Sequence, residues 1–278
     1  MIYLNEKRSG QNKKDYIEAI IKVSMQIFNQ ALGDDFFRGD NLKTAFCTAE
    51  DKVSVYEAFC EQFFPLYLAK GYSRTDYFAA QAMTNVPDGI YGILVCLDTC
   101  DEGDDWYQII LHEMSHIFCI SHEIGGENFH DKYSKENLGD NEQYWYSSVG
   151  YAVWREFIAD YIASQLNPLT RPLSLAKLRE VIRELDEGMN VNNPERAQDC
   201  SQILSYILLN PRIRASEDVN TVFQTLEKNR VFASKERSGH YHEIIRLLFG
   251  QLRQACYWMI DPGFIEELGK AYLYLLNW

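Results

Sequence analysis

The stretch ILHEMSHIFCISH, residues 110–122, holds three of the six histidines in the chain. Apolar residues surround His112 and His116, which predicts that this segment forms a helix packed into the protein interior. Residues four apart on a helix lie one above the other on the same face, one turn apart. The two imidazoles of His112 and His116 are therefore expected to point towards a common partner.

An acidic residue, Glu113, directly follows the first of these two histidines. The pattern HExxH presents two imidazoles that can bind one Zn²⁺, while the glutamate lies about 100° round the helix and can reach a water held by the metal. Zinc lowers the pKa of such a water, and the carboxylate takes its proton during attack on a carbonyl. The sequence thus predicts zinc ligands at His112 and His116 and a general base at Glu113.

A catalytic zinc takes a third protein ligand, and His122 is the first candidate for it. With Cys119 in the glycine position, the run HEMSHIFCISH resembles the HExxHxxGxxH motif of metzincin peptidases. In that motif the helix breaks at the glycine, whereas residues 117–120 contain no helix breaker. If the helix continues, His122 lies about 240° round from His116 and points away from the metal.

Glu156 is the second candidate for the third ligand, within the segment WREFIADYIASQLNP at residues 154–168. Glu156 and Asp160 are again four residues apart, on one face of a predicted helix. Glu156 would complete a set of two histidines and one glutamate, and Asp160 could accept a hydrogen bond from the outer nitrogen of a ligating histidine. We favour Glu156 over His122.

The motif ILHEMSHIF, followed by ExxADxxA from Glu156, resembles the gluzincin zinc metallopeptidases. The run that continues to Pro168 is similar to the second motif of the ImmA/IrrE-like peptidases, in which an edge strand could align an extended substrate by strand addition. The resemblance covers about residues 85–170 and implies a zincin-type metallopeptidase core. The site residues that it implies are the zinc ligands His112, His116 and Glu156, the general base Glu113, and Asp160 as a partner of a ligating histidine.

The charge of the chain restricts its partners. Lysine and arginine number 27 against 40 aspartates and glutamates, a net charge of −13, and such a surface repels nucleic acid and anionic membranes. No window approaches the length of a transmembrane helix, and the start of the chain lacks the apolar run of a secretory signal. Seven cysteines, scattered through apolar segments, indicate reduced thiols. We therefore expect a cytoplasmic protein with neither a nucleic-acid nor a membrane partner.

Helical periodicity precedes the HExxH segment. Apolar residues at three- and four-residue steps predict a helix over 13–32 and a second one over 51–69, which Pro65 divides. The run IYGILVCLD at 90–98 is bounded by turn residues and predicts a strand. Asp105 is placed to cap the HExxH helix. A small sheet next to helices is therefore expected in this part of the chain.

Beyond the HExxH helix, residues 121–147 are polar, contain glycine and lack periodicity, which predicts a long loop that could include a short helix. A helix is predicted over 148–166, and further helical patterns follow from residue 172. The chain is thus expected to be an α+β protein, mostly helical, with a small sheet. We divide it into a metallopeptidase domain at 1–170 and a helical C-terminal region at 171–278, whose helices could bind a protein partner.

Two questions stay open on the sequence alone. Stabilising an oxyanion requires a hydrogen-bond donor, and spacing does not choose among the candidates Tyr144, Tyr146, Tyr151, His130, His240 and His242. The main prediction is a zinc peptidase that acts on a peptide or protein substrate. The alternatives are a metzincin-like peptidase that uses His122, and a non-catalytic, metal-stabilised regulatory or binding protein on a peptidase scaffold.

Overall fold

The computed structural model describes residues 10–69, 79–99, 105–123, 142–188, 196–232, 235–255, 257 and 260–276. The chain folds into two compact units. The first comprises Met1–Ser121 and Leu166–Leu169, and the second comprises His122–Gln165 and Thr170–Trp278. The functional division at residue 170 stays a prediction.

The first unit contains a sheet of three strands, β1 (Leu42–Cys47), β2 (Ala80–Asn85) and β3 (Ile90–Cys96), in the order β1-β3-β2. β1 runs parallel to β3, whereas β2 pairs antiparallel with it. A 3₁₀ turn, Val86–Asp88, joins β2 to β3, and Gly89 completes the turn in the left-handed conformation, with φ of 62°. β2 is therefore an edge strand of the described sheet.

β3 is the strand that the sequence predicts. Its residues Ile93, Leu94 and Val95 are fully buried, as expected for a central strand covered on both faces. The sequence does not predict β1 or β2. β2 reads AQAMTN, and alanine and asparagine have low strand propensity. This segment is a strand because it pairs with β3 along its whole length.

Four described helices belong to the first unit: α1 (Gly10–Leu32), α2 (Lys52–Phe63), α3 (Pro65–Ala69) and α4 (Trp106–Ser121). The helices predicted over 13–32 and 51–69 are confirmed, and the second is divided at Pro65. α1 ends where Gly33 takes a φ of 68° and donates its N–H to the oxygen of Asn29 at 2.9 Å. This left-handed glycine satisfies one of the last carbonyls of the helix.

α4 begins at the predicted cap. Asp105 Oδ1 accepts a hydrogen bond of 3.2 Å from the backbone N–H of Gln108, which satisfies one of the unpaired donors at the start of the helix. Asn167 Nδ2 supports this cap by donating to Asp105 Oδ2 at 2.8 Å and to Gln108 Oε1 at 3.3 Å. α4 packs against β2 and against α1. The HExxH segment is therefore held beside the edge strand.

An aromatic cluster joins α2 and α3 to the sheet. Its buried members are Cys47, Tyr56, Phe59, Cys60, Phe64, Met83, Leu94 and Cys96, and Phe63 and Tyr67 pack against them. Gly92 in β3 leaves room for this packing, since a Cβ at that position would lie 2.6 Å from the ring of Phe64. The cluster fixes α3 on the sheet.

The second unit is helical. Its helices are α5 (Glu142–Leu166), whose last residue belongs to the first unit, α6 (Leu175–Gly188), α7 (Arg196–Leu209), α8 (Pro211–Arg214), α9 (Val219–Lys228), α10 (Lys235–Leu252) and α11 (Pro262–Leu276). The helical patterns after residue 172 are confirmed, and α5 ends just before Asn167 as predicted. It begins at Glu142, however, so the prediction of a loop through residue 147 is wrong. The residues EQYWYS contain no helix breaker, but their polar and aromatic side chains follow no 3.6-residue period.

The described part of the chain is mostly helical with a small mixed sheet, which confirms the α+β prediction. Residues 124–141 of the predicted loop lie outside the described ranges. Among the helices given above, none is both long enough and apolar enough to span a bilayer.

Candidate metal centre

α4 carries His112 and His116 into the interior of the protein. The two side chains are only 7% and 9% exposed. Their neighbours Ile110, Met114 and Ile117 are fully buried, so the apolar residues between the histidines anchor the helix and draw both imidazoles away from solvent. The helical spacing predicted from the sequence therefore becomes a pair of buried imidazoles on one face.

The imidazoles of His112 and His116 converge on one point. Their Nε2 atoms are 2.9 Å apart, the ring centroids are 4.5 Å apart and the ring planes are inclined by 88°. Two nitrogens that bind one ion at about 2.0–2.1 Å in tetrahedral geometry lie about 3.3 Å apart. The observed separation is shorter and is the length of a hydrogen bond between the two rings. A small outward shift of the rings would let both nitrogens bind one ion.

Glu156 on α5 supplies a third ligand atom. One nitrogen from each of His112 and His116 and one carboxylate oxygen of Glu156 all lie within 4.8 Å of one another. This group could bind a metal ion. His122, the competing candidate, is exposed and does not belong to the metal-binding group found among the described residues.

Arg155 holds the carboxylate of Glu156 through one oxygen. Glu156 Oε1 accepts from Nη2 of Arg155 at 2.8 Å and from Nε at 3.2 Å. The carboxylate is 13% exposed and the guanidinium 42%, so the ion pair is partly shielded from water. The sequence gives no sign of this contact, because adjacent residues on a helix do not normally face each other.

Asp160 lies one turn after Glu156 on α5 and is 2% exposed. A carboxylate at such depth requires compensating partners. Its predicted role, accepting a hydrogen bond from a ligating histidine, stays a prediction.

Glu113 is bound to the edge strand. Its Oε2 accepts a hydrogen bond of 2.6 Å from the backbone N–H of Ala82 in β2. Cys96 donates to the carbonyl of Ala79, and because backbone groups alternate along an antiparallel strand, the N–H groups of Ala82 and Thr84 point away from β3. The acid of the HExxH motif therefore sits on the outer edge of the sheet.

Thr84, the next residue of β2 whose N–H points outward, is also engaged by a side chain. Its N–H donates to the hydroxyl of Tyr67 in α3 at 3.1 Å. Neither Ala82 nor Tyr67 is indicated by the sequence, because both contacts depend on β2, a strand without a local signal. Which N–H groups of β2 face outward depends on its register with β3, so no pattern of residue types in the sequence could have revealed them.

The candidate oxyanion donors differ in their surroundings. His242 stacks on Phe223, with ring centroids 4.1 Å apart, and Phe232 meets it edge-on at 5.6 Å. Burial lowers the pKa of His242, which is typical of a histidine in an apolar cluster. Tyr146 lies next to Lys270, whose Nζ is 5.2 Å from the ring centroid. Of the remaining candidates, His130 and the side chain of Tyr144 lie outside the described part of the structure.

None of the cysteines among the described residues belongs to the metal-binding group. Cys47, Cys60, Cys96, Cys119 and Cys200 are free thiols and buried. Burial raises the pKa of Cys119 to about 12, as expected for a thiol packed in apolar surroundings. Cys119, although it lies within the HEMSHIFCISH stretch, is therefore a packing residue.

Comparisons of the chain with models of known protein families, with curated proteins and with solved structures find no match. The functional assignment therefore depends on the chemistry of His112, His116, Glu156, Glu113 and the strand beside them.

Proposed function

We propose that this protein is a zinc-dependent peptidase of the ImmA/IrrE-like gluzincin type, with His112, His116 and Glu156 as zinc ligands. The observation that carries this proposal is the placement of Glu113. It follows the first of two converging imidazoles, and its carboxylate is bonded to the outer edge of β2. The proposed base would therefore lie between the proposed histidine ligands of α4 and the strand edge that would receive a peptide.

The donor set supports zinc as the ion. Two imidazole nitrogens and one carboxylate oxygen form the set of three protein ligands typical of hydrolytic zinc sites, which leave one position for water or substrate. No thiol of the described residues belongs to this ligand group. Bound at His112, His116 and Glu156, zinc would supply a Lewis acid that acidifies a water and polarises a peptide carbonyl.

Glu113 would act as the general base. Its carboxylate accepts the proton of the attacking water and passes it to the amine that leaves when the peptide bond breaks. The hydrogen bond from Ala82 uses Oε2, and since a carboxylate has about four lone-pair sites, this bond orients the base without blocking proton transfer. Asp160 and Arg155 would hold the ligands in place, Asp160 through a histidine and Arg155 through Glu156.

β2 favours a peptide as the substrate. Its outer edge presents the backbone groups of Ala80 and the carbonyl of Ala82, while Glu113 and Tyr67 accept the N–H groups of Ala82 and Thr84. An extended peptide can add to such an edge as a further strand. This pairing would place a peptide bond next to Glu113. We further propose that β2, β3 and α4 form a zincin-type core. The free, buried thiols support a cytoplasmic setting.

The test combines metal analysis with peptide cleavage. Purified protein should contain one zinc per chain and should cleave a peptide mixture in a reaction that a chelator stops and added zinc restores. Glu113→Gln should retain the zinc but lose cleavage by about a hundredfold or more. Glu57→Gln, a change at an exposed acid on α2, is the matched control and should leave both unchanged.

Three outcomes would count against the proposal. Full activity of Glu113→Gln would exclude this residue as the base. Folded wild-type protein that binds no zinc would exclude the site. Zinc-loaded protein that cleaves nothing in a broad peptide mixture would favour a metal-stabilised binding protein instead.

A further inference from the structure

The hydroxyl of Tyr67 occupies a position on β2 that a neighbouring strand would use. It accepts the N–H of Thr84 at 3.1 Å, as the backbone carbonyl of a paired strand would. An extended peptide cannot place its own carbonyl there while the phenol is in place. Tyr67 therefore blocks strand addition at Thr84.

Tyr67 and Glu113 mark two points along the same edge. Glu113 is bonded to the N–H of Ala82, and Tyr67 to that of Thr84. These donors are two residues apart, which in a strand is about 6.7 Å. About two residues of an extended chain span this distance.

The ring of Tyr67 is held firmly. It meets Phe64 edge-on, with ring centroids 6.2 Å apart, and it packs against the aromatic cluster of α2 and α3. Its backbone N–H donates to the carbonyl of Phe64 at 3.0 Å. A side chain anchored in this way, on a short helix beginning with Pro65, serves as a fixed stop on the edge.

We propose that Tyr67 is a specificity-determining residue that limits how far a bound peptide extends along β2 towards Asn85. This inference rests on the proposed peptidase function. The enzyme accepts about two residues or fewer on one side of the bond that it cleaves, and the other side, which runs past Ala80, is not limited by Tyr67. Tyr67 takes no part in the chemical step.

The experiment compares the products that zinc-loaded variants release from one mixture of peptides of varied length, sequenced by mass spectrometry. Tyr67→Ala removes the stop, and Tyr67→Phe removes only the hydroxyl that pins the ring to Thr84. Both variants should raise kcat/KM about fivefold for peptides that have a longer segment on the Tyr67 side of the cleaved bond. The segment length that is accepted on the other side should not change. Phe63→Ala is the control, since it removes a ring from the same cluster but retains the bond from Thr84 to Tyr67 and the backbone carbonyl that accepts from Asn85.

The outcomes separate the inference from the proposed function. A one-sided lengthening of products with either Tyr67 variant, absent from Phe63→Ala, supports it. Unchanged product lengths in both Tyr67 variants, or equal changes in Phe63→Ala, overturn it and leave the peptidase function standing. No cleavage by the zinc-loaded wild type overturns the proposed function itself, and the role of Tyr67 with it.

Discussion

The backbone N–H of Ala82 donates a hydrogen bond of 2.6 Å to Oε2 of Glu113, 31 residues further along the chain. We predict that Ala82→Pro lowers kcat about tenfold or more while zinc stays bound, because proline removes this donor and its ring displaces the carboxylate. The N–H of Ala82 points away from β3, and proline is tolerated at such edge positions. Steady-state kinetics and zinc content check the result.

Thr84→Pro is the matched control for that variant. It introduces the same ring at the next outward-facing position of β2, where it removes the bond to Tyr67 but leaves the bond to Glu113 intact. Its kcat should stay within about twofold of the wild type. An equal loss of kcat in both proline variants would mean that distortion of β2, and not the position of Glu113, is responsible.

Zinc should stabilise the fold. A ligand that binds only the folded state adds about 2.7 kcal/mol at a hundredfold excess over its Kd, so zinc should raise Tm by about 5 °C or more. His116→Ala should abolish this rise, because it removes a ligand, whereas His240→Ala should retain it. Thermal unfolding with chelator and with zinc measures both. A rise of the same size in His116→Ala would place the zinc elsewhere.

Gly150 on α5 and Gly269 on α11 allow two helices to cross at very close range. A Cβ on Gly150 would clash with the backbone oxygen of Ile265 and lie 2.8 Å from the nitrogen of Gly269. Gly150→Ala should therefore lower the free energy of unfolding by about 3 kcal/mol, since backbone atoms must move apart. Gly250→Ala is the control. Its Cβ meets nothing within 4 Å, and it should raise stability by about 0.5–1 kcal/mol. Chemical denaturation measures both changes.

His242 should make the fold sensitive to acid. Burial lowers its pKa below 6.5, the nearby Arg246 lowers it further, and Glu227 opposes this shift. The unfolded chain therefore binds a proton at this histidine more readily than the folded chain does. The contribution of neutral His242 to the free energy of unfolding is fully present above about pH 6.5, and it is lost as the pH drops through the lowered pKa of the folded state. His242→Phe keeps the stacking on Phe223 and should reduce the fall in Tm between neutral and mildly acidic pH by about 2 °C or more. An unchanged fall in Tm would assign the acid sensitivity to other groups.

Local periodicity accounts for the elements that the sequence predicts correctly. α1, α4 and the C-terminal helices repeat apolar residues every three or four positions, and β3 is a continuous apolar run, so their conformations follow from their own residues. The strands β1 and β2 lack such a signal. β2 is extended because β3 pairs with it, and the start of α5 at Glu142 lies in a segment without a 3.6-residue period.

Helical periodicity is enough to predict that His112 and His116 share a face, that Glu113 lies beside it, and that Glu156 and Asp160 lie about one turn apart, because each relation spans about one turn of helix. No local pattern predicts that a carboxylate oxygen of Glu156 lies within 4.8 Å of the imidazole nitrogens. Nor does any predict that the N–H groups of Ala82 and Thr84 bond to Glu113 and Tyr67. Each of these contacts joins residues far apart in the chain, so it follows from the folded structure and from no local repeat.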